Sequence, residues 1–152
     1  MALTLDTVEW VAAVTVLSFL EQAHFAWQVI YARRRYHVSP PRMAGPPEFE
    51  RVSRAQINCF EYYPLFLASM WAAGVFLHQV PASVLGFLYL VARYKYFHGY
   101  VEAAEKRLPP LYFAAAMLRL LCALSTAGVV DHFLSRAIGY SLVQSVLHVF
   151  GL

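Results

Sequence analysis

The 152-residue chain is 60% hydrophobic and only 14% charged, with a formal net charge of +3 and a mean hydropathy of +0.50. A soluble domain is typically about 25% charged and about 45–50% apolar, so the composition reads as an all-α integral membrane protein, a single domain of four spans. It excludes a nucleic-acid binder, because no soluble basic domain exists to carry the positive charge.

The first predicted span covers residues 8–30. Glu9, Glu21, Gln22 and His24 fall inside it, so it is not a simple lipid-facing helix. Its apolar run is too long for a signal-peptide core and lacks a basic leading region. The connection 31–53 contains "SPP" and "GPP", and proline interrupts helical hydrogen bonding, which predicts a loop. Ser39 lies in that loop, where an exposed serine is the plain reading and a phosphorylation site the sharper one. Span two is predicted at 58–77, and "HQVPAS" then makes a short turn. Span three covers 84–100. "LPPLY" at 108–112 marks a second break, and span four covers 111–130. About 20 residues cross the hydrocarbon core, so each run is adequate. Residues 132–149 read as a further helix that either extends span four or lies along the interface.

Arg33, Arg34, Arg35, Arg42, Arg51 and Arg54 all fall between the first two apolar runs, and Arg93, Lys95, Lys106 and Arg107 bracket the end of the third. In an up-down-up-down bundle both connections lie on one side. The charge bias makes that side cytosolic and the termini lumenal. Cys59 and Cys122 sit in apolar contexts as buried thiols. Neither cysteine nor any histidine shows metal-ligand spacing, so no metal is expected.

The densest polar stretch is "FERVSRAQINCFEYYP", residues 49–64. On a helix, Arg54, Asn58, Glu61 and Tyr62 sit at i, i+4, i+7 and i+8 and share a face, with Gln56 roughly opposite. Tyr96, Tyr100 and Arg107 share a face in the same way. Arg33 and Arg34 end span one at the same depth. The result is a boundary site lined by Arg, Asn, Glu and Tyr. Arginine matches carboxylates with its planar fork, Glu61 suits an ammonium, and Asn58 and the tyrosine hydroxyls suit amides. That inventory fits a small zwitterionic peptide with more than one carboxylate, such as glutathione. The plainer readings are a topology signal for the arginines, belt anchoring for the tyrosines, and a Glu–Arg pair bracing the bundle.

The stretches "PPEFERV", "RAQINCFEYYPLFL", "YKYFHGY" and "LPPLY" resemble the MAPEG family, membrane proteins of eicosanoid and glutathione metabolism. The likeness runs over about residues 8–130. It implies a homotrimer of four-helix protomers in the endoplasmic reticulum and nuclear envelope, with glutathione as co-substrate at each subunit interface. By position, Arg54, Asn58, Glu61, Tyr62, Tyr96, Tyr100 and Arg107 would hold glutathione from one protomer, and Arg33 and Gln56 would reach it from the neighbour. Arg107 would stabilise the thiolate and Arg34 would sit near an opening epoxide. A free thiol titrates near about 8.5 and reacts as its thiolate, and a fixed cation in a dry site favours that form. The implied reaction adds glutathione to an allylic lipid epoxide, leukotriene A4. Ala23, Trp27, Leu111, Tyr112 and Leu118 would line a lipid groove along spans one and four.

The pattern departs from the synthase branch at Arg119, where an aromatic residue is expected. This arginine is costly inside an apolar helix, and a pairing with Glu21 or His24 would relieve it. "VEAAEKR" leans toward the microsomal transferase branch. The alternatives are therefore a broader membrane glutathione transferase or peroxidase, a non-catalytic lipid-binding adaptor, and a structural four-span protein. Arg33, Arg34, Arg54, Gln56 and Arg107 argue against the adaptor.

Overall fold

The computed structural model describes residues 5–139. They form four long helices: α1 Glu9–Arg35, α2 Pro47–Phe76, α3 Gln79–Glu102 and α4 Leu108–Ile138, with 3₁₀ turns at Leu5–Thr7 and Ala104–Arg107. No strand occurs among the described residues.

The helix ends follow from local chemistry. α1 closes on Arg33, Arg34 and Arg35, whose charges complement the carbonyl end of the helix dipole. α2 opens with Pro47 in its first turn and with Glu48 and Glu50 beside the exposed N–H groups, the favoured arrangement at a helix start. The prolines of "GPP" thus start a helix, and α2 begins well before residue 58. The expected 31–53 loop contracts to 36–46. Likewise Pro109 and Pro110 sit in the first turn of α4. The break before it falls at Ala103, in extended conformation, and the 3₁₀ turn that follows. α4 continues without interruption to Ile138 and ends at Gly139, whose φ of 71° is left-handed, a glycine-favoured helix stop. The described part of the expected extra helix, 132–138, therefore extends α4. Its remainder, 140–149, lies outside the described residues.

α2 and α3 form a central pair. α1 and α4 each pack against both of them but not substantially against each other. One core holds Val11, Val14, Phe66, Met70, Tyr89 and Leu121. A second, toward the α1–α2 loop, holds Phe25, Phe49, Val52, Cys59, Tyr96 and Phe97. Aromatic stacking ties the helices within each: Phe66 on Tyr89 at 4.5 Å, and Phe25 on Phe97 at 4.3 Å between ring centroids. Gly86 lets α3 approach closely, because a Cβ there would lie 2.5 Å from the Met70 Sδ. Some polar side chains inside the bundle pair across helices, which helices in apolar surroundings favour. Ser18 Oγ and Tyr63 OH are 3.0 Å apart, and Trp71 Nε1 donates to Thr15 Oγ1 at 3.0 Å.

The helical stretch Ala104–Ala137 is long and apolar enough to cross a membrane on its own. Large apolar side chains, among them Trp10, Phe19, Trp27, Phe60, Phe87 and Phe133, cover the outside of the bundle.

Candidate functional site

Asn58, Tyr62 and Tyr96 meet at one buried group, Arg93, and Tyr100 and Arg107 continue the line from Tyr96. This arginine projects from α3 and is only 3% exposed. Its Nη1 donates to Asn58 Oδ1 at 3.2 Å, its Nη2 to the Asn58 carbonyl at 2.9 Å, and its Nε to Tyr89 OH at 3.1 Å. Its guanidinium lies 5.1 Å from the ring centres of both Tyr62 and Tyr96. Tyr96 meets Tyr100 edge-on at 5.9 Å. The Arg107 guanidinium then stacks over Tyr100 at 4.7 Å, and its Nη1 donates to the Ala104 carbonyl at 2.6 Å. A line of cation and aromatic groups therefore runs from the α2–α3 contact to the start of α4.

The 3₁₀ turn is what brings Arg107 back over α3. It packs against Gly99, where a Cβ would stand 2.9 Å from the Lys106 carbonyl oxygen. Lys106 pairs with Glu102, and Arg51 Nε donates to the Val101 carbonyl at 3.2 Å. Together these hold the end of α3 to α2 and to the turn.

Arg54 and Glu61 are exposed on α2. Arg54 pairs loosely with Glu50 at 4.0 Å and lines a hollow of about 370 Å³ with Met43, Ala44, Ser53 and Ile57. Gln56 is half-buried. Arg34 is exposed at the end of α1. Arg33 is occupied within its own chain. Its Nη1 donates to the Arg42 carbonyl at 2.8 Å and its guanidinium covers the Phe49 ring at 5.1 Å, so it closes the 36–46 loop.

Ala23 and Trp27 line an outward hollow of about 560 Å³ on α1 with Leu20, His24, Gln28 and Tyr31. Trp27 is 72% exposed and Tyr112, on α4, 67%. Leu111 is half-buried against the second core. Leu118 is different: it is buried in the first core, where it packs against neighbouring helices. Arg119 is exposed on α4. Its expected pairing with Glu21 or His24 is not made, since those residues lie on α1, across the central helix pair. Glu21 Oε1, Gln22 Oε1 and His24 Nε2 are buried without a hydrogen-bond partner among the described residues.

A family model described as "MAPEG family" matches residues 11–129. This chain belongs to the MAPEG family. Among its MAPEG relatives, a protein named leukotriene C4 synthase from Mus musculus is 54% identical over 139 residues, which is 91% of this chain and 93% of the relative. The protein of that name from Rattus norvegicus is 56% identical over 88% of this chain and 89% of its own length. Microsomal glutathione S-transferase 2 from Mus musculus is 43% identical over 91% of this chain and 95% of its own length.

Sequence reasoning took Arg93 for a topology charge and missed it as a member of this cluster. The signal was present. Tyr89, Arg93, Tyr96 and Tyr100 stand at i, i+4, i+7 and i+11, one stripe of α3.

Proposed function

We propose that this MAPEG protein conjugates glutathione to the lipid epoxide leukotriene A4, giving leukotriene C4. The observation that carries the reading is the fixed cation, Arg107 held over Tyr100, in a chain more than half identical to leukotriene C4 synthases over about nine-tenths of its length.

Asn58, Tyr62, Tyr96 and Tyr100 hold the peptide part of glutathione, with Arg54 on a carboxylate and Glu61 on the ammonium. Arg107 stabilises the thiolate, and arginine suits the task because it stays charged. The thiol proton leaves to water. The sulfur attacks an allylic epoxide carbon, a C–S bond forms and the C–O bond breaks. The alkoxide left behind is stabilised by Arg34 and takes a proton from water in its shell. The electrophile lies along the outer faces of α1 and α4, near Ala23, Trp27, Leu111 and Tyr112.

The working unit is a homotrimer of four-span protomers in the endoplasmic reticulum and nuclear envelope, with the 36–46 and 103–107 connections cytosolic. A partner subunit would supply hydrogen bonds to the orphaned atoms of Glu21, Gln22 and His24. Within the trimer Arg33 and Gln56 contribute to the neighbour's glutathione.

Titrating glutathione into detergent-purified protein tests this reading through the ultraviolet absorbance of its thiolate. Wild type is expected to show the thiolate at neutral pH and Arg107→Ala to lose it. A well-folded wild type that neither binds glutathione nor shows the signal would sink the proposal. A second reading, a transferase of broader electrophile range, is favoured by the exposed Arg119 on α4 and by the similarity to microsomal glutathione S-transferase 2. Comparable turnover of leukotriene A4 and of a generic aryl halide would establish it.

A further inference from the structure

A buried charge without an acid partner is expensive, since its hydration is lost and only neutral groups replace it. Arg93 is close to that case: the Glu21 carboxylate attracts it only from beyond ion-pair distance. No carboxylate forms an ion pair with it among the described residues, and its donors go to one asparagine and one tyrosine. A topology charge would sit in water at the interface. Arg93 instead sits behind three residues of the proposed glutathione site, Asn58, Tyr62 and Tyr96.

What it does there follows from donor and acceptor chemistry. A guanidinium only donates, so both Asn58 atoms facing it must be oxygens. Turning the side-chain amide over would set N–H against N–H. The amide is thereby locked with Oδ1 toward Arg93 and its two N–H bonds turned away. Asn58 Nδ2 makes no hydrogen bond among the described residues, and the side chain is half-buried. It is a fixed, unused donor. The same guanidinium is flanked by the rings of Tyr62 and Tyr96, which restricts where their hydroxyls point.

We propose that Arg93 is a positioning residue: it locks Asn58 so that its amide donates to a carbonyl or carboxylate oxygen of glutathione, and so sets glutathione affinity without touching the ligand. This rests on the reading that Asn58, Tyr62 and Tyr96 hold glutathione. It separates two tasks, with Arg93 on α3 governing how tightly the peptide is held and Arg107 in the 3₁₀ turn governing the state of its sulfur.

The test is glutathione binding and turnover by full-length protein in detergent, comparing wild type, Arg93→Lys and Tyr89→Phe. Lysine keeps the charge but cannot hold both Asn58 oxygens in a planar fork. Tyr89→Phe removes only the contact that fixes the Nε side of the guanidinium. Arg93→Lys is expected to raise the glutathione Kd and KM at least about tenfold, and Tyr89→Phe about three- to fivefold. The KM for the electrophile and the thiolate absorbance at saturating glutathione should stay within about twofold of wild type. A merely structural role would lower the folded fraction and kcat and leave the KM for glutathione alone.

The proposal is overturned if both variants bind glutathione within about twofold of wild type, or if Arg93→Lys loses the thiolate signal at saturation. Should Arg93→Lys fail to fold, Tyr89→Phe decides by the same criterion. A wild type without saturable glutathione binding overturns this proposal and the functional reading together. Wild-type binding with unaffected variants overturns this proposal only.

Discussion

Arg107 is held over Tyr100 by a ring contact and by the hydrogen bond it donates to the Ala104 carbonyl. A charge fixed in advance stabilises an anion with little reorganisation. Arg107→Lys keeps the charge but loses the planar stacking and the directed bond. Its kcat is expected to fall about 10- to 100-fold with the KM for glutathione little changed, as steady-state kinetics would show. Asn58→Asp tests the orientation of the amide. An aspartate would still satisfy Arg93 but would turn an acceptor toward the ligand. It is expected to weaken glutathione more than Asn58→Ala does, by a further tenfold or about that, measured by calorimetric titration. The helical period alone placed Arg54, Asn58, Glu61 and Tyr62 on one face of α2. It could not separate those turned to the central pair from those left exposed, because that depends on which helix lies alongside. Arg93 went unrecognised for the same reason. A stripe of three tyrosines and an arginine has meaning only once Asn58 is seen opposite it. Arg33 combines two roles in this reading: the resemblance assigns it to a neighbour's site, and it also closes its own loop.

Two helices depend on how closely the turn at 104–107 can approach α3. Gly99 leaves room for the Lys106 carbonyl oxygen, which would be 2.9 Å from an added Cβ. Backbone cannot yield there as a flexible side chain would. Gly99→Ala is expected to push the turn outward, carry Arg107 off Tyr100 and reduce the saturated thiolate absorbance severalfold in a protein that still folds. The core behaves differently. Phe66 is fully buried and stacked on Tyr89, so Phe66→Ala should cost about 3–5 kcal/mol, read as a marked fall in thermal stability in detergent, without a specific effect on the sulfur. The order and number of long helices followed from apolar runs and their breaks. The boundaries did not, because proline was read only as an interruption. Pro47, Pro109 and Pro110 all sit in first turns, where the missing N–H has no intrahelical acceptor to lose. Hydropathy could not see the start of α2 either, since 47–57 is charged and lies ahead of the apolar run.

Among the described residues, polar atoms of α1 lack hydrogen-bond partners and large apolar side chains lie on the outside, which fits the proposed trimer. Mass measurement in detergent is expected to give three copies. Substituting Glu21 and Gln22 together with leucine and methionine should change the strength of that assembly before it changes the helix content. In sealed microsomes, trypsin added outside should cut at Arg42 in the 36–46 connection, and an intact lumenal tag at either terminus would check the orientation. The all-helical, strongly apolar character was legible in the sequence, and the proposed oligomer entered only through resemblance, because no intrachain pattern announces a contact between copies. The arrangement of the helices has one more consequence. α1 and α4 stand on opposite flanks of the α2–α3 pair. The surfaces proposed to meet the electrophile therefore lie mostly on the flanking helices, while those proposed to seat the thiol lie mostly on α2, α3 and the 3₁₀ turn that leads into α4. Changes such as an arginine at position 119 can accumulate on the flanks while the central pair keeps its geometry. Such a scaffold can exchange one oily substrate for another by substitution at its periphery, and inherit its sulfur chemistry intact.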